Sequence, residues 1–350
     1  MTMLERLGMT VPIVQAPMAG TSTPALAAAV CDAGGLGSIG LGATDAAGAA
    51  AMIDEVRGRT ARAFNVNVFV HRAPMRDAAR EAAWIGAMAP LFATYGATPP
   101  AALRTIYTSF ADDRAMQALL VDRAPRVVSF HFGLPDANVT GALRAAGCVL
   151  FASVTSLDEA RAAEQAGIDV LVAQGVEAGG HRGVFDPDAP DDALGTMALT
   201  RLLAVRSGLP VIAAGGIMDG RGIRAALDLG AVAAQLGTAF VGCPESSADA
   251  AYRAALASEA ARHTMMTRAI SGRPARCLAN LFTAWAAETA VPPAAYPVAY
   301  DAGKALAQAA RATGEGGYGA QWAGQGAPLA RAMPAAELMR TLIAELAAAG

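Results

Sequence analysis

A chain of 350 residues with 27 basic against 30 acidic side chains carries a net charge of −3, and the charges are scattered rather than gathered into blocks, which argues against a nucleic-acid partner or an anionic membrane surface. Hydrophobic residues make up 54% of it, much of that alanine, and no run approaches the ~18 uninterrupted apolar residues that a membrane span needs. The length suits one barrel of about 250 residues with a second small unit beside it.

The opening segment, MTMLERLGMTVPIVQAPM, has no basic stretch followed by an apolar run and a small-residue cleavage site, so nothing predicts export and the cytoplasm is the expected location. From there short apolar runs bounded by Gly or Pro alternate with Ala-rich stretches of helical period, the pattern of repeated strand and helix units on a parallel sheet. Strands are predicted at 11–18, 36–41, 63–70, 127–133, 148–154, 170–175, 210–217 and 232–240. That is as many as the roughly eight that close an α/β cylinder, the (β/α)8 TIM barrel. Helix starts are marked by Thr23 before Pro24, Thr44 before Asp45, Ser156 before Asp158 and Glu159, and Asp219 after Gly215 and Gly216. Residues 73–122 are too many for a simple crossover and read as an elaborated connection. The barrel is assigned to 1–242, a small appended helical unit acting as a substrate lid to 243–333, and a helix returning to the barrel to 334–350, where Leu338, Leu342 and Leu346 recur at helical spacing.

In a parallel barrel the active site lies at the C-terminal strand ends. Met18 and Ala19, Asn67, His131, Gln174, Gly215 and Gly216, and Gly237 and Thr238 stand there. Asn65 and Asn67, two apart, share one face of their strand. The Gly215-Gly216 pair, leading into a helix near Asp219, and Gly237-Thr238 after the next strand let backbone N–H groups approach an anion, with a helix N-terminus adding its dipole. Barrels often hold a phosphate there, so a phosphorylated cofactor is expected; the plainer alternative is that these glycines make tight turns. The amides of Asn67 and Gln174 can both donate and accept, which suits a flavin edge or equally a buried backbone group.

His181 sits in AQGVEAGGHRG, a Gly-rich loop beyond the sixth strand, where an imidazole reaches the barrel mouth and can carry protons near neutral pH; a structural or surface histidine is the alternative. His131, inside SFHFG, is either a core histidine or a second active-site residue, and His71 and His263 read as structural or exposed. Cys31, Cys148, Cys243 and Cys277 lie too far apart for a zinc or dithiol motif and read as small buried hydrophobes. The acidic stretch 186–192 matches no calcium loop and reads as a solvated turn. Tyr296, Tyr300 and the lone lysine, Lys304, follow at intervals of four and would share one face of a helix, able to bind a carboxylate or simply amphipathic.

The stretches PIVQAPMAG (12–20), FNVNVF (64–69), SFHFGLP (129–135), AQGVEAGGHRG (173–183), AAGGIMDGRG (213–222), QLGTAF (235–240), SGRPAR (271–276) and WAGQG (322–326), in this order over nearly the whole chain, resemble the class I nitronate monooxygenases, formerly called 2-nitropropane dioxygenases. The resemblance implies an FMN barrel with a helical lid, oxidising alkyl nitronates with O2 to carbonyl compounds and nitrite. It implies His181 as the catalytic residue, Asn67, Gln174, Gly179, Gly216, Gly237 and Thr238 as FMN contacts, and Tyr296, Tyr300 and Lys304 as the grip on the carboxylate end of propionate 3-nitronate. We extend the cofactor set to Ala16, Pro17, Met18, Gly180, Gly215 and Gln235, and the substrate set to His131, with no metal. His181 is expected either to remove a proton from a neutral nitroalkane or to hydrogen-bond the nitro group. The expected partners are a small-molecule nitronate and O2, the assembly a monomer or homodimer. Two other readings are weighed beside this one: an FMN barrel taking hydride from NAD(P)H, such as a quinone or enoyl-thioester reductase, and a non-enzymatic flavin or phosphate sensor.

Overall fold

Valine, isoleucine and alanine runs that are buried along their whole length can only form strands covered on both faces, and in the computed structural model, which describes residues 2–350, they do. Among these residues eleven strands follow in chain order: β1 (Ile13–Gln15), β2 (Ser38–Gly40), β3 (Asn65–Phe69), β4 (Val127–His131), β5 (Val149–Val154), β6 (Val170–Gln174), β7 (Gly180–His181), β8 (Val211–Ala214), β9 (Ala233–Leu236), β10 (Thr264–Thr267) and β11 (Ala275–Leu278). Eight of them form one parallel sheet in the order β1-β9-β8-β6-β5-β4-β3-β2. The seam between β1 and β2 is drawn together by Leu36 N–H to Ile13 O at 3.0 Å and Gln15 N–H to Leu36 O at 2.9 Å. The buried Gln15 side chain adds to it, its Oε1 accepting from Ser38 N–H at 2.8 Å. The result is the predicted (β/α)8 TIM barrel, an α/β cylinder with its helices outside.

Inside the cylinder Val14, Leu36, Val127, Phe151, Val172 and Ile212 pack with Met3 and Leu7 of the N-terminal helix Met3–Leu7, which fills the end opposite the site. Asn65 and Asn67 point inward while Val66 and Val68 join the outer cluster under the helices, as the two-residue strand period requires. Thr23, Ser156 and Asp219 are helix N-caps as predicted; at the fourth start Asp45, not Thr44, is the cap. The connection from β3 to β4 holds two helices, Ala78–Thr94 and Arg114–Arg123.

Residues 243–333, expected to be helical, also carry β10 and β11, which join β7 in a second, antiparallel sheet of order β10-β11-β7. Nothing in the local sequence marks this, because β7 is only two residues of a Gly-rich loop. The last helix, Ala335–Ala348, buries Leu338, Met339 and Leu342 against the barrel helices Pro24–Asp32 and Gly220–Asp228.

Candidate active site

The C-terminal ends of the barrel strands open into a cavity of about 1260 Å³, the solvent of its open mouth included. Its wall brings together Ala16, Pro17, Met18, Asn67, His131, Gln174, Gly179, Gly180, His181, Gly215, Gly216, Gln235, Gly237, Thr238, Tyr296 and Tyr300. Lys304 is the one predicted site residue that does not line it. Its side chain is exposed, with the ammonium 5.0 Å from the ring centre of Tyr107 and 5.2 Å from that of Tyr300. The supposed common helical face fails for a simple reason: the helix begins at Val298, so Tyr296 precedes it. Tyr107, Tyr252 and Trp322 also line the cavity and escaped the sequence reading; Tyr107 lies in the long connection, and Trp322 opens a motif, WAGQG, that had been given no role.

At one end of the cavity the chain offers an anion cradle. Gly215 and Gly216 have φ of 125° and 70°, a left-handed backbone that disfavours any side chain. Among the described residues no protein acceptor meets the backbone N–H of Gly215, Gly216, Gly237 or Thr238, all four on the cavity wall. Thr238 is buried, Gly215 and Gly237 are half-buried and Gly216 is exposed on the open cavity, so these four donors are free to meet a ligand. The expected help from a helix dipole is absent, however. The helix Gly220–Asp228 gives its first N–H groups to carboxylates, Gly222 to Asp219 at 2.8 Å and Gly220 to Glu345 at 3.0 Å, so the cradle is made of the loop amides of Gly215 and Gly216 and of Gly237 and Thr238 at the start of the four-residue helix Thr238–Val241.

The two Gly-rich loops beside it interlock. A Cβ on Gly179 would stand 2.5 Å from Gly324 N, and one on Gly324 would stand 2.6 Å from Glu177 O, while Gly324 N–H donates to Thr238 Oγ1 at 3.0 Å. WAGQG thus seats the loop that carries His181. The amide of Gln174 is committed to that same loop. Its Nε2 donates to His181 O at 3.0 Å and its Oε1 accepts from Gly183 N–H at 2.7 Å, so of the two expectations for Gln174 the backbone role is the one seen. Likewise Asn67 Nδ2 donates to Ser129 Oγ at 2.9 Å.

His181 is held from all sides. Its backbone oxygen also faces His131 Nε2 at 3.1 Å; since a carbonyl only accepts, the proton of neutral His131 sits on Nε2. Its own Nε2 lies 2.8 Å from Ser271 Oγ, a hydroxyl that also takes Arg273 N–H at 3.3 Å. Around the imidazole stand the rings of Trp322, Phe132, Tyr296 and Tyr300, with centres at 5.0, 5.5, 5.5 and 6.2 Å. Phe132 does this from a φ of 77°, strained for a bulky residue. Burial, with His131, Arg273 and His71 adding to it, pushes the His181 imidazole down to about 3. Burial pushes His131 down to about 4 and His71 likewise to about 4. His71, which had read as structural or exposed, is buried edge-on to Tyr296, ring centres 5.0 Å apart. The acidic stretch is not merely solvated either. Asp191 pairs with the buried Arg182 at 2.7 Å, and Asp188 with Arg268 at 3.0 Å.

Such a site, with an anion cradle, a neutral imidazole and an aromatic wall, can bind a phosphorylated planar cofactor beside a small substrate. The family model described as nitronate monooxygenase matches residues 1–345. The chain is similar to a nitronate monooxygenase of Paraburkholderia phytofirmans, 63% identical over 345 residues that cover 98% of this chain and 94% of the relative. It is similar to one of Pseudomonas aeruginosa, 57% identical over 341 residues, covering 97% of each. Among solved structures it resembles nitroalkane oxidase from Streptomyces ansochromogenes at a TM-score of 0.91 and 42% identity, covering 99% of this chain and 98% of that one. It also resembles FabK from Thermotoga maritima at 0.75 and 29%, covering 99% and 95%.

Proposed function

We propose, from the premise that this chain belongs to the nitronate monooxygenase family and is an oxidoreductase, that it is an FMN-dependent enzyme oxidising alkyl nitronates with O2 to a carbonyl compound and nitrite, with propionate 3-nitronate as a substrate. The observation that carries the reading is the set of four unpaired amides at Gly215, Gly216, Gly237 and Thr238 on the wall of the cavity that holds His181. These amides fit the phosphate of FMN, and the left-handed glycines leave room for it. Ala16, Pro17, Met18, Asn67, Gln174, Gly179, Gly180 and Gln235 complete the cofactor wall in this reading. FMN, when bound, supplies the electron acceptor and the passage of electrons to O2.

The protein's own part is to bind, orient and keep out water. Trp322, Tyr296 and Tyr300 wall the substrate against His181, and Lys304, behind Tyr300, contributes its charge toward the carboxylate end. His181 is neutral and enclosed, so it serves best by hydrogen-bonding the anionic nitro group. An imidazole whose burial disfavours its cation is a poor base, which makes proton removal from a neutral nitroalkane the slower use of the site. We read 243–333 as the unit covering the mouth of the barrel 1–242, and the protein as acting in the cytoplasm on small molecules, as a monomer or homodimer.

The test is direct. The purified protein should be yellow with FMN, lose its colour on anaerobic addition of propionate 3-nitronate, and release nitrite in air. Rapid bleaching by NADH with none by nitronate would assign it instead to hydride-accepting flavin barrels, and a colourless protein that refuses FMN contradicts the reading.

A further inference from the structure

The segment 271–276 holds a buried cation with no counter-charge. Arg273 is 3% exposed, and among the described residues no carboxylate forms an ion pair with it. Its Nε meets no acceptor, and its side-chain hydrogen bond goes to the backbone oxygen of Val184. The carboxylates that act on it from farther away are engaged elsewhere, Glu159 with Thr155 and Phe185, Asp186 with Arg72. The contrast with Arg182 is sharp, since that equally buried guanidinium has Asp191 at 2.7 Å. Taking a guanidinium out of water without a partner is costly, and a fold keeps such a charge where something else supplies the anion.

Its position says what that is. The guanidinium carbon lies 4.2 Å from the ring centre of Phe132, and that ring is 5.5 Å from His181 and 5.4 Å from Tyr296, both on the cavity wall. Two layers of rings therefore stand between the charge and the cavity, Phe132 and then the wall made by His181 and Tyr296, and such rings screen a field poorly. The three imidazoles nearby, His71, His131 and His181, are neutral, and the buried Tyr296 hydroxyl has no partner. Burial lowers Arg273 only to about 10, so it stays charged at neutral pH.

We infer that Arg273 is the internal counter-charge for an anionic substrate, a specificity-determining residue that makes the cavity bind the nitronate anion in preference to the neutral nitroalkane of the same skeleton. The inference rests on the nitronate reading of the site, yet its test does not require turnover. Inorganic nitrite and nitromethane present the same NO2 group with and without charge, and their binding to the enzyme as purified with its cofactor can be compared by anaerobic calorimetry. Arg273→Met should weaken nitrite about tenfold and leave nitromethane within about twofold, while Arg273→Lys should hold nitrite within about threefold of wild type. Equal losses for both probes, no loss for nitrite, or a lysine variant as weak as the methionine one would overturn it. Should Arg273→Met not fold, the decision passes to wild type, which must bind nitrite at least about tenfold more tightly than nitromethane; equal affinities overturn the inference. If nitrite binding depends on the charge but wild type fails to oxidise ethylnitronate in air, the counter-charge stands and the proposed function falls.

Discussion

Nε2 of His131 stands 3.1 Å from the backbone oxygen of His181, so one histidine fixes the main chain of the other. Replacing His131 by Leu leaves that carbonyl with Gln174 as its remaining side-chain donor and should cost about 1–3 kcal/mol of stability. Turnover should fall about tenfold, and His131→Gln, which can still donate, should recover most of both. Thermal melts and steady-state rates on the three proteins decide it; a leucine variant with wild-type turnover would remove the clamp from the mechanism.

His181→Asn keeps a polar side chain in the ring of aromatics but loses the imidazole nitrogen that can take up a proton. Turnover of nitroethane, already slow for wild type, should drop by about a hundredfold or more, and that of ethylnitronate by less than about tenfold. Equal losses on the two substrates would mean that His181 moves no proton.

The cradle is tested by Gly215→Ala. A Cβ there would meet Thr196 Oγ1 at 2.6 Å, at a φ of 125°. The variant should fold but bind FMN about tenfold or more weakly, measured by equilibrium dialysis of the stripped protein. Undiminished FMN affinity would place the phosphate elsewhere.

Stability should fall with pH well above the range where carboxylates titrate. Burial holds His71, His131 and His181 at about 4, 4 and 3, against an ordinary 6.5. Above 6.5 folded and unfolded chains are both neutral at these positions. Between 6.5 and 4 the unfolded chain takes up protons that the folded one refuses, so each group destabilises by up to about 1.4 kcal/mol per pH unit. The three shares should be similar down to about pH 5, and below it that of His181, held lowest, should be the largest. A melting temperature that stays level from pH 6.5 to 5, or a His71→Gln variant with an unchanged slope, would contradict this.

Arg182 is 2% exposed and is paired through Asp191 to the acidic stretch. Asp191→Asn should therefore cost about 3 kcal/mol, far more than a surface ion pair, since it leaves a buried charge unmatched. Urea titration reads it directly, and a loss below about 1 kcal/mol would show the pair to be peripheral.

The barrel was legible because its strands are buried on both faces and so appear as continuous apolar runs, and the glycines at its strand ends were legible as either an anion site or tight turns. Ser271, Arg273 and Trp322 were not, since each comes to His181 from far along the chain and through a contact with no local periodicity. Tyr296 does not share a helical face with Lys304, because spacing by four implies one only inside a helix and Tyr296 stands before the first turn, whereas Tyr300 and Lys304 are both inside it. For His71, read as structural or exposed, the structural alternative is the one that fits, and nothing next to it in sequence tells that Tyr296 will pack against it.

The pairing of β7 with β11 joins Gly180 and His181 to Arg276 and Ala275. The hairpin of β10 and β11 and the imidazole are thereby one mechanical body. Any displacement of that hairpin would therefore carry with it the main chain on which the imidazole is mounted.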